Sequence, residues 1–133
     1  MTLSPPLHKK LGLKSQSNVY LLDCPDNYFD LLSSNPGHFN LKKRPKPNTI
    51  HFIHIFTTDA ELLNRKIRSL VSYLEKDGML WISWPKKSSS ISSTIDKWSV
   101  MNIGQKAGLV DVKVASINED WSALKFVYRL ADR

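Results

Sequence analysis

The sequence has almost no cysteine. Cys24 is the only one in 133 residues, so no disulfide closes within the chain and a four-cysteine zinc site is excluded. A reducing, cytoplasmic setting is the expectation. Long apolar runs are missing too: no segment approaches the ~18 residues of a membrane span, which sets membrane partners aside. Met1-Thr2-Leu3-Ser4-Pro5-Pro6 holds no apolar stretch of the secretory-signal kind. The four histidines fall into no HxH or HExxH spacing, and no carboxylate pair accompanies them, so no metal site is expected. Acidic residues are outnumbered, 12 against 19 Lys and Arg, giving a net charge of +7. That balance favours anionic partners: nucleic acid, an acidic protein or a phosphorylated metabolite. The densest basic cluster is Lys42-Lys43-Arg44-Pro45-Lys46-Pro47. It also reads simply as a solvated loop between strands.

What is present suffices for a core. The apolar share is 41%, and the length suits one domain spanning 1–133, with 1–17 as a partly irregular arm. The centre of the pattern is Gly78-Met79-Leu80-Trp81-Ile82-Ser83-Trp84, which runs straight into Pro85-Lys86-Lys87-Ser88-Ser89-Ser90. The first half reads as a strand buried on both faces. The second half reads as the loop at its C-terminal end, where ligands bind in open α/β sheets.

Taken in order, Leu7, Leu11 and Leu13 suggest one docked turn. Val19-Tyr20-Leu21-Leu22 reads as a buried strand, and Pro25 suits the first turn of a helix carrying Tyr28, Phe29, Leu31 and Leu32. Phe39-Asn40-Leu41 is a brief edge strand, and Ile50 to Phe56 a strong one. Thr58 with Glu61 fits a capping box, followed by a helical face of Leu63, Ile67, Leu70, Val71 and Leu74 that stops at Lys76-Asp77-Gly78. Ser93 with Asp96 opens a further helix with a mixed face of Ile95, Trp98, Asn102 and Ile103, ending at Lys106-Ala107-Gly108. Val110, Val112 and Val114 alternate with Asp111 and Lys113, and Leu124, Phe126, Tyr128 and Leu130 with Lys125, Val127 and Arg129; they predict an antiparallel hairpin. Strands alternating with helices imply a doubly wound, mostly parallel α/β sheet, with that hairpin as its antiparallel edge.

The helix, the Ala107-Gly108-Leu109 turn and the closing strand pair resemble the end of class I S-adenosylmethionine-dependent methyltransferases. More narrowly, five stretches resemble the bacterial domain of unknown function 3052 family. They are Lys10-Leu11-Gly12-Leu13, Leu22 to Pro25, Trp84-Pro85-Lys86-Lys87-Ser88, Ala107 to Asp111 and Trp121 to Phe126. The resemblance implies a Rossmann-like fold and no particular activity. One departure from the methyltransferases matters. Their first strand leads into a glycine-rich cofactor turn; here that turn is Asp23-Cys24-Pro25-Asp26-Asn27-Tyr28, with no glycine. Lys42, Lys43 and Arg44 stand where a ribose-gripping acid is expected. Neither that cofactor nor a dinucleotide is therefore expected.

The sequence thus offers the Lys86, Lys87, Ser88 and Ser89 loop as an anion site, with Cys24, Thr57 and Thr58 on the same rim. A solvated connection with serine caps is the competing account. Cys24 near a helix start would have a lowered thiol pKa, with His51 or His54 as the nearest base, though both histidines lie inside a strand. The leading functional expectation is a non-catalytic module that binds an anionic small molecule or a protein partner. A nucleic-acid-binding accessory domain, using its tryptophans for stacking, and a divergent methyltransferase are the alternatives.

Overall fold

A computed structural model of the chain describes residues 5–133. Among these residues the strands are β1 (Asn18–Leu22), β2 (Asn40–Leu41), β3 (Ile50–Phe56), β4 (Leu74–Pro85), β5 (Leu109–Ser116) and β6 (Trp121–Tyr128). The helices are α1 (Leu7–Lys10), α2 (Tyr28–Leu32), α3 (Ala60–Tyr73) and α4 (Lys97–Lys106). The strands form one sheet in the order β2-β1-β3-β4-β6-β5. The first four run parallel, and β6 lies antiparallel between β4 and β5. This is the doubly wound sheet with an antiparallel C-terminal pair that the sequence predicts.

The two faces carry separate cores. One buries Leu63, Ile67 and Leu70 of α3 and Val100 and Ile103 of α4 against Ile53, Ile55, Leu80, Ile82 and Phe126. The other buries Leu7, Leu11 and Leu13 of the arm with Tyr28 and Leu32 of α2 against Phe52, Phe56 and Trp81. Each fully buried leucine or isoleucine contributes about 1.5–3 kcal/mol through water exclusion. The arm is therefore part of the core from Leu7 onwards, and the Trp81 indole N–H donates to the Leu11 carbonyl at 2.9 Å. The arm's first four residues lie outside the described residues. Gly104 lets α4 lie flat on β6: a Cβ there would stand 2.1 Å from the Phe126 ring.

Several local expectations are corrected. Asp59, not Thr58, caps α3; its carboxylate accepts the N–H groups of Glu61 (2.9 Å) and Leu62 (3.3 Å). Asp96, not Ser93, caps α4 through the Ser99 N–H at 2.8 Å. Leu74 belongs to β4 rather than α3, and Lys76-Asp77-Gly78 lies inside that strand instead of stopping a helix. A leucine that is buried in either setting fits the helical period equally well, so the pattern alone does not separate them. Trp98 is 70% exposed, and the buried side of α4 is Val100, Ile103 and Gly104. Val112 and Val114 are exposed because β5 is the outer strand and its register shifts between Asp111 and Lys113. Leu130 lies beyond β6 and is exposed.

Candidate functional site

The chain leaves β1 toward β2 on one side, whereas β3 pairs with β1 on the other. Strand order therefore reverses between β1 and β3, and their C-terminal ends splay apart there, opening a crevice. A cleft of about 350 Å³ opens at this place, lined by Asp23, Phe56, Thr57, Thr58, Leu62 and Trp121. Trp121 reaches it because β6 begins where β4 ends, with Pro85 and Trp121 in register. Its ring stands edge-on to Phe56, with centroids 5.1 Å apart. Thr57 is buried and committed to the backbone: its N–H donates to the Ser83 carbonyl at 3.0 Å, and its hydroxyl accepts the Asp59 N–H at 3.2 Å. Thr58 is exposed at the mouth. Asp23 is exposed too, with the Lys66 ammonium 3.7 Å from its carboxylate.

The β1–α2 turn is built from side chains rather than glycines. Asp23 itself takes the left-handed conformation, at φ 56°. Cys24 points inward, its sulfur 3.9 Å from the carbonyl oxygens of Leu22 and His54. Burial pushes its thiol pKa up from 9.0 to about 12, the reverse of the lowering expected at a helix start. α2 has five residues, and its dipole does not offset that desolvation. Neither histidine serves as a base for Cys24. The His54 ring is fully buried, held by the Tyr28 hydroxyl at 2.7 Å and the Ser83 hydroxyl at 2.6 Å. Burial lowers its pKa from 6.5 to about 3. His51 lies at the N-terminal end of β3, beside Glu75. His8 sits on α1, with Nδ1 2.8 Å from the Leu32 carbonyl oxygen.

The Lys86–Ser89 loop leaves β4 on the same rim as Cys24, Thr57 and Thr58. Lys86 is half-buried; its ammonium donates to the Ser116 hydroxyl at 2.6 Å and its N–H to the Asp120 carbonyl at 2.8 Å. Ser89 donates its hydroxyl to the Asp120 carboxylate at 2.8 Å. These two residues brace the loop against the β5–β6 turn. Lys87 and Ser88 face solvent. The Ser99 hydrogen bonds, and to a smaller extent the Lys87 charge, hold the Asp96 carboxyl below its ordinary pKa, so Lys87 lies near the start of α4. The structure thus brings Thr57 and Thr58 into one cleft, places the Lys86–Ser89 loop on the same rim, and turns Cys24 away. Trp121, Phe56, Leu62 and Asp23 complete the lining. Asp23 and Phe56 follow from the strand ends that point to this rim, but Trp121 is not legible in the sequence, because it joins the site only once β6 is inserted beside β4.

Solved structures of known proteins share this architecture. An S-adenosylmethionine-dependent methyltransferase from Aquifex aeolicus superposes with a TM-score of 0.63 at 16% identity, covering 89% of this chain and 85% of its own. A TehB-like S-adenosylmethionine-dependent methyltransferase from Corynebacterium glutamicum gives 0.57 at 7% identity, covering 91% and 85%. The 1,6-didemethyltoxoflavin-N1-methyltransferase of Burkholderia thailandensis, with bound S-adenosylhomocysteine, gives 0.56 at 10% identity, covering 90% and 73%. The fold is that of class I methyltransferases. At such identities the likeness extends to the fold alone. No family model matches the chain. No curated protein matches it either. Among the described residues no helix is long and apolar enough to cross a membrane.

Proposed function

We propose that the chain is a non-catalytic, methyltransferase-like module that binds an anionic small molecule at the C-terminal rim of its sheet. The observation that carries this is the cleft between Asp23 and Trp121, open at the point where strand order reverses. Trp121, backed by the buried Phe56 ring, and Leu62 offer a surface for a flat apolar moiety, and Thr58 a hydroxyl. Lys87 and Ser88 supply the exposed donors for the anionic group, while Lys86 and Ser89 hold the loop in place. The turn after β1 favours binding without methyl transfer. It lacks glycine, Pro25 lacks an N–H, and the Cys24 thiol is held protonated, so it offers neither a close backbone approach nor a nucleophile. We further propose a kinship with the bacterial domain of unknown function 3052 family, on the Trp84–Ser88 and Trp121–Phe126 stretches, and a reducing, cytoplasmic setting, on the single cysteine.

The test is an amide NMR titration of the full chain with adenosine monophosphate, inorganic phosphate and S-adenosylmethionine. The nucleotide is expected to shift Thr58, Lys87, Ser88 and the Trp121 indole. Trp121→Ala and Lys87→Ala should each weaken it about tenfold or more, a loss of ~1.4 kcal/mol. Tighter binding of S-adenosylmethionine, centred on residues 23–28, would overturn the reading in favour of a divergent methyltransferase. A salt-sensitive response to an oligonucleotide, confined to the hollow lined by Lys42, Arg44 and Lys46, would overturn it in favour of nucleic-acid binding.

A further inference from the structure

The opposite rim of the sheet carries a second constellation, which depends on no cleft residue. Between the pairs Ile50–Leu74 and Phe52–Met79, β3 advances two residues while β4 advances five. β4 therefore carries three extra residues in a bulge. Bulges re-aim side chains, and they cluster beside functional sites. This one carries Glu75 and Asp77. Both reach His51 of β3. One ligand atom from each of the three lies within 4.8 Å of the other two. The His51 Nδ1 and Glu75 Oε1 atoms are 2.6 Å apart.

The bulge is held tightly in place. Gly78 is buried beneath it, and a Cβ there would lie 2.9 Å from Leu74 Cδ1 and 3.0 Å from the carbonyl oxygens of Ile50 and His51. The two strands thus lie close together at the base of the bulge, where a side chain would crowd the β3 backbone. The side chains of His51 and Glu75 are 24% and 33% exposed, and Asp77 is exposed. The group lies partly sheltered yet open on one side. His51 and Glu75 also line a basin of about 520 Å³, together with Lys14, Ser15, Ser17, Asn18 and Asn40. Lys76, between the two carboxylates in sequence, is directed elsewhere; its ammonium sits 4.3 Å over the Tyr128 ring.

We propose that His51, Glu75 and Asp77 bind one first-row divalent cation. One imidazole and two carboxylates suit zinc, cobalt or manganese better than calcium, which takes oxygen alone. Three protein donors leave at least one coordination position open. Donors about 2.1 Å from a tetrahedral ion stand ~3.4 Å apart, so Glu75 releases its contact with His51 when the ion enters.

The experiment is a calorimetric titration of the full chain with Zn²⁺ and Co²⁺ at pH 7, with the visible Co²⁺ absorption as a second readout. One equivalent is expected to bind. Asp77→Asn, at an exposed position, should weaken binding about tenfold or more, and His51→Gln further still. His38→Gln, at an exposed histidine outside the group, should leave it unchanged. If His51→Gln unfolds, Zn²⁺-induced shifts of the Asp77 and Gly78 amides in the unaltered chain decide instead. Affinity unchanged by Asp77→Asn, binding lost only in His38→Gln, or no binding up to ~1 mM would each overturn the proposal.

Discussion

His51 and His54 stand three residues apart in one strand and have opposite surroundings. His54 lies mid-sheet with no exposed surface, and both ring nitrogens are taken, one by Tyr28 of α2 and one by Ser83 of β4. His51 lies at the strand's open end, where β3 is relieved of regular pairing by the bulge in β4. Its partner is a carboxylate, and water has access. The same residue type is thus a neutral core component in one place and an open donor in the other. Depth along the strand decides between them: three residues of rise, about 10 Å, separate the sheet's middle from its rim.

Acid should expose this contrast most strongly. With its pKa at about 3 in the folded chain and 6.5 ordinarily, His54 takes up its proton far more readily when unfolded. The unfolded chain then binds more protons throughout that window. Stability is fully present above pH ~6.5 and falls as pH drops toward 3, by about 5 kcal/mol over the whole range and ~2 kcal/mol by pH 5. Urea midpoints at pH 7 and pH 5 measure this directly. Ring resonances of His54 that stay neutral down to pH 4.5 would confirm the cause. A protonated ring at pH 6 would erase the distinction between the two histidines.

Tyr28→Phe should come next in size. Among the described residues no buried side-chain nitrogen or oxygen lacks a partner. Removing the hydroxyl leaves His54 Nδ1 unpaired in the core and should cost about 1–3 kcal/mol. Ser83→Ala, which strands the other nitrogen, should cost a similar amount. The double variant should cost less than the sum, because the first loss already frees the ring to turn. Chemical denaturation of the three variants checks this. A cost below ~0.5 kcal/mol for Tyr28→Phe would mean that water replaces the hydroxyl and that the site is not dry.

Most of the fold can be read from the residues. The β-branched and aromatic run from Ile50 to Phe56, the period of Leu63, Ile67 and Leu70, and the apolar stretch around Trp81 each admit one buried setting, and each takes it. Val112 and Val114 alternate just as clearly yet face solvent, because alternation defines two faces without saying whether a neighbour covers either. The site was only half legible. Strand ends in a doubly wound sheet point to one rim, which leads to Thr57, Thr58 and the Lys86–Ser89 loop. Trp121 is hidden from that argument, since its arrival depends on an antiparallel strand inserted next to β4. The grouping of Glu75 and Asp77 with His51 was hidden too. Lys76-Asp77-Gly78 has the composition of a helix stop, and the same three residues serve as a bulge because Leu74 pairs with Ile50 instead of continuing α3.

The smallest expected effect lies at the open end, and its smallness is informative. His51→Gln keeps a hydrogen-bonding side chain beside Glu75 and removes only the imidazole. A partly exposed hydrogen bond contributes about 1 kcal/mol net, because water replaces the lost partner, and glutamine keeps a donor beside Glu75. The stability of the metal-free variant should therefore change by less than ~1 kcal/mol, as read from its urea midpoint at pH 7. Its thermal midpoint should also stop responding to added Zn²⁺, since an ion that binds only the folded chain raises the midpoint by mass action. A loss above ~2 kcal/mol would place His51 in the same class as His54, a residue retained for packing. A small loss joined to a lost zinc response separates them: one histidine holds the sheet together, and the other is left free to bind.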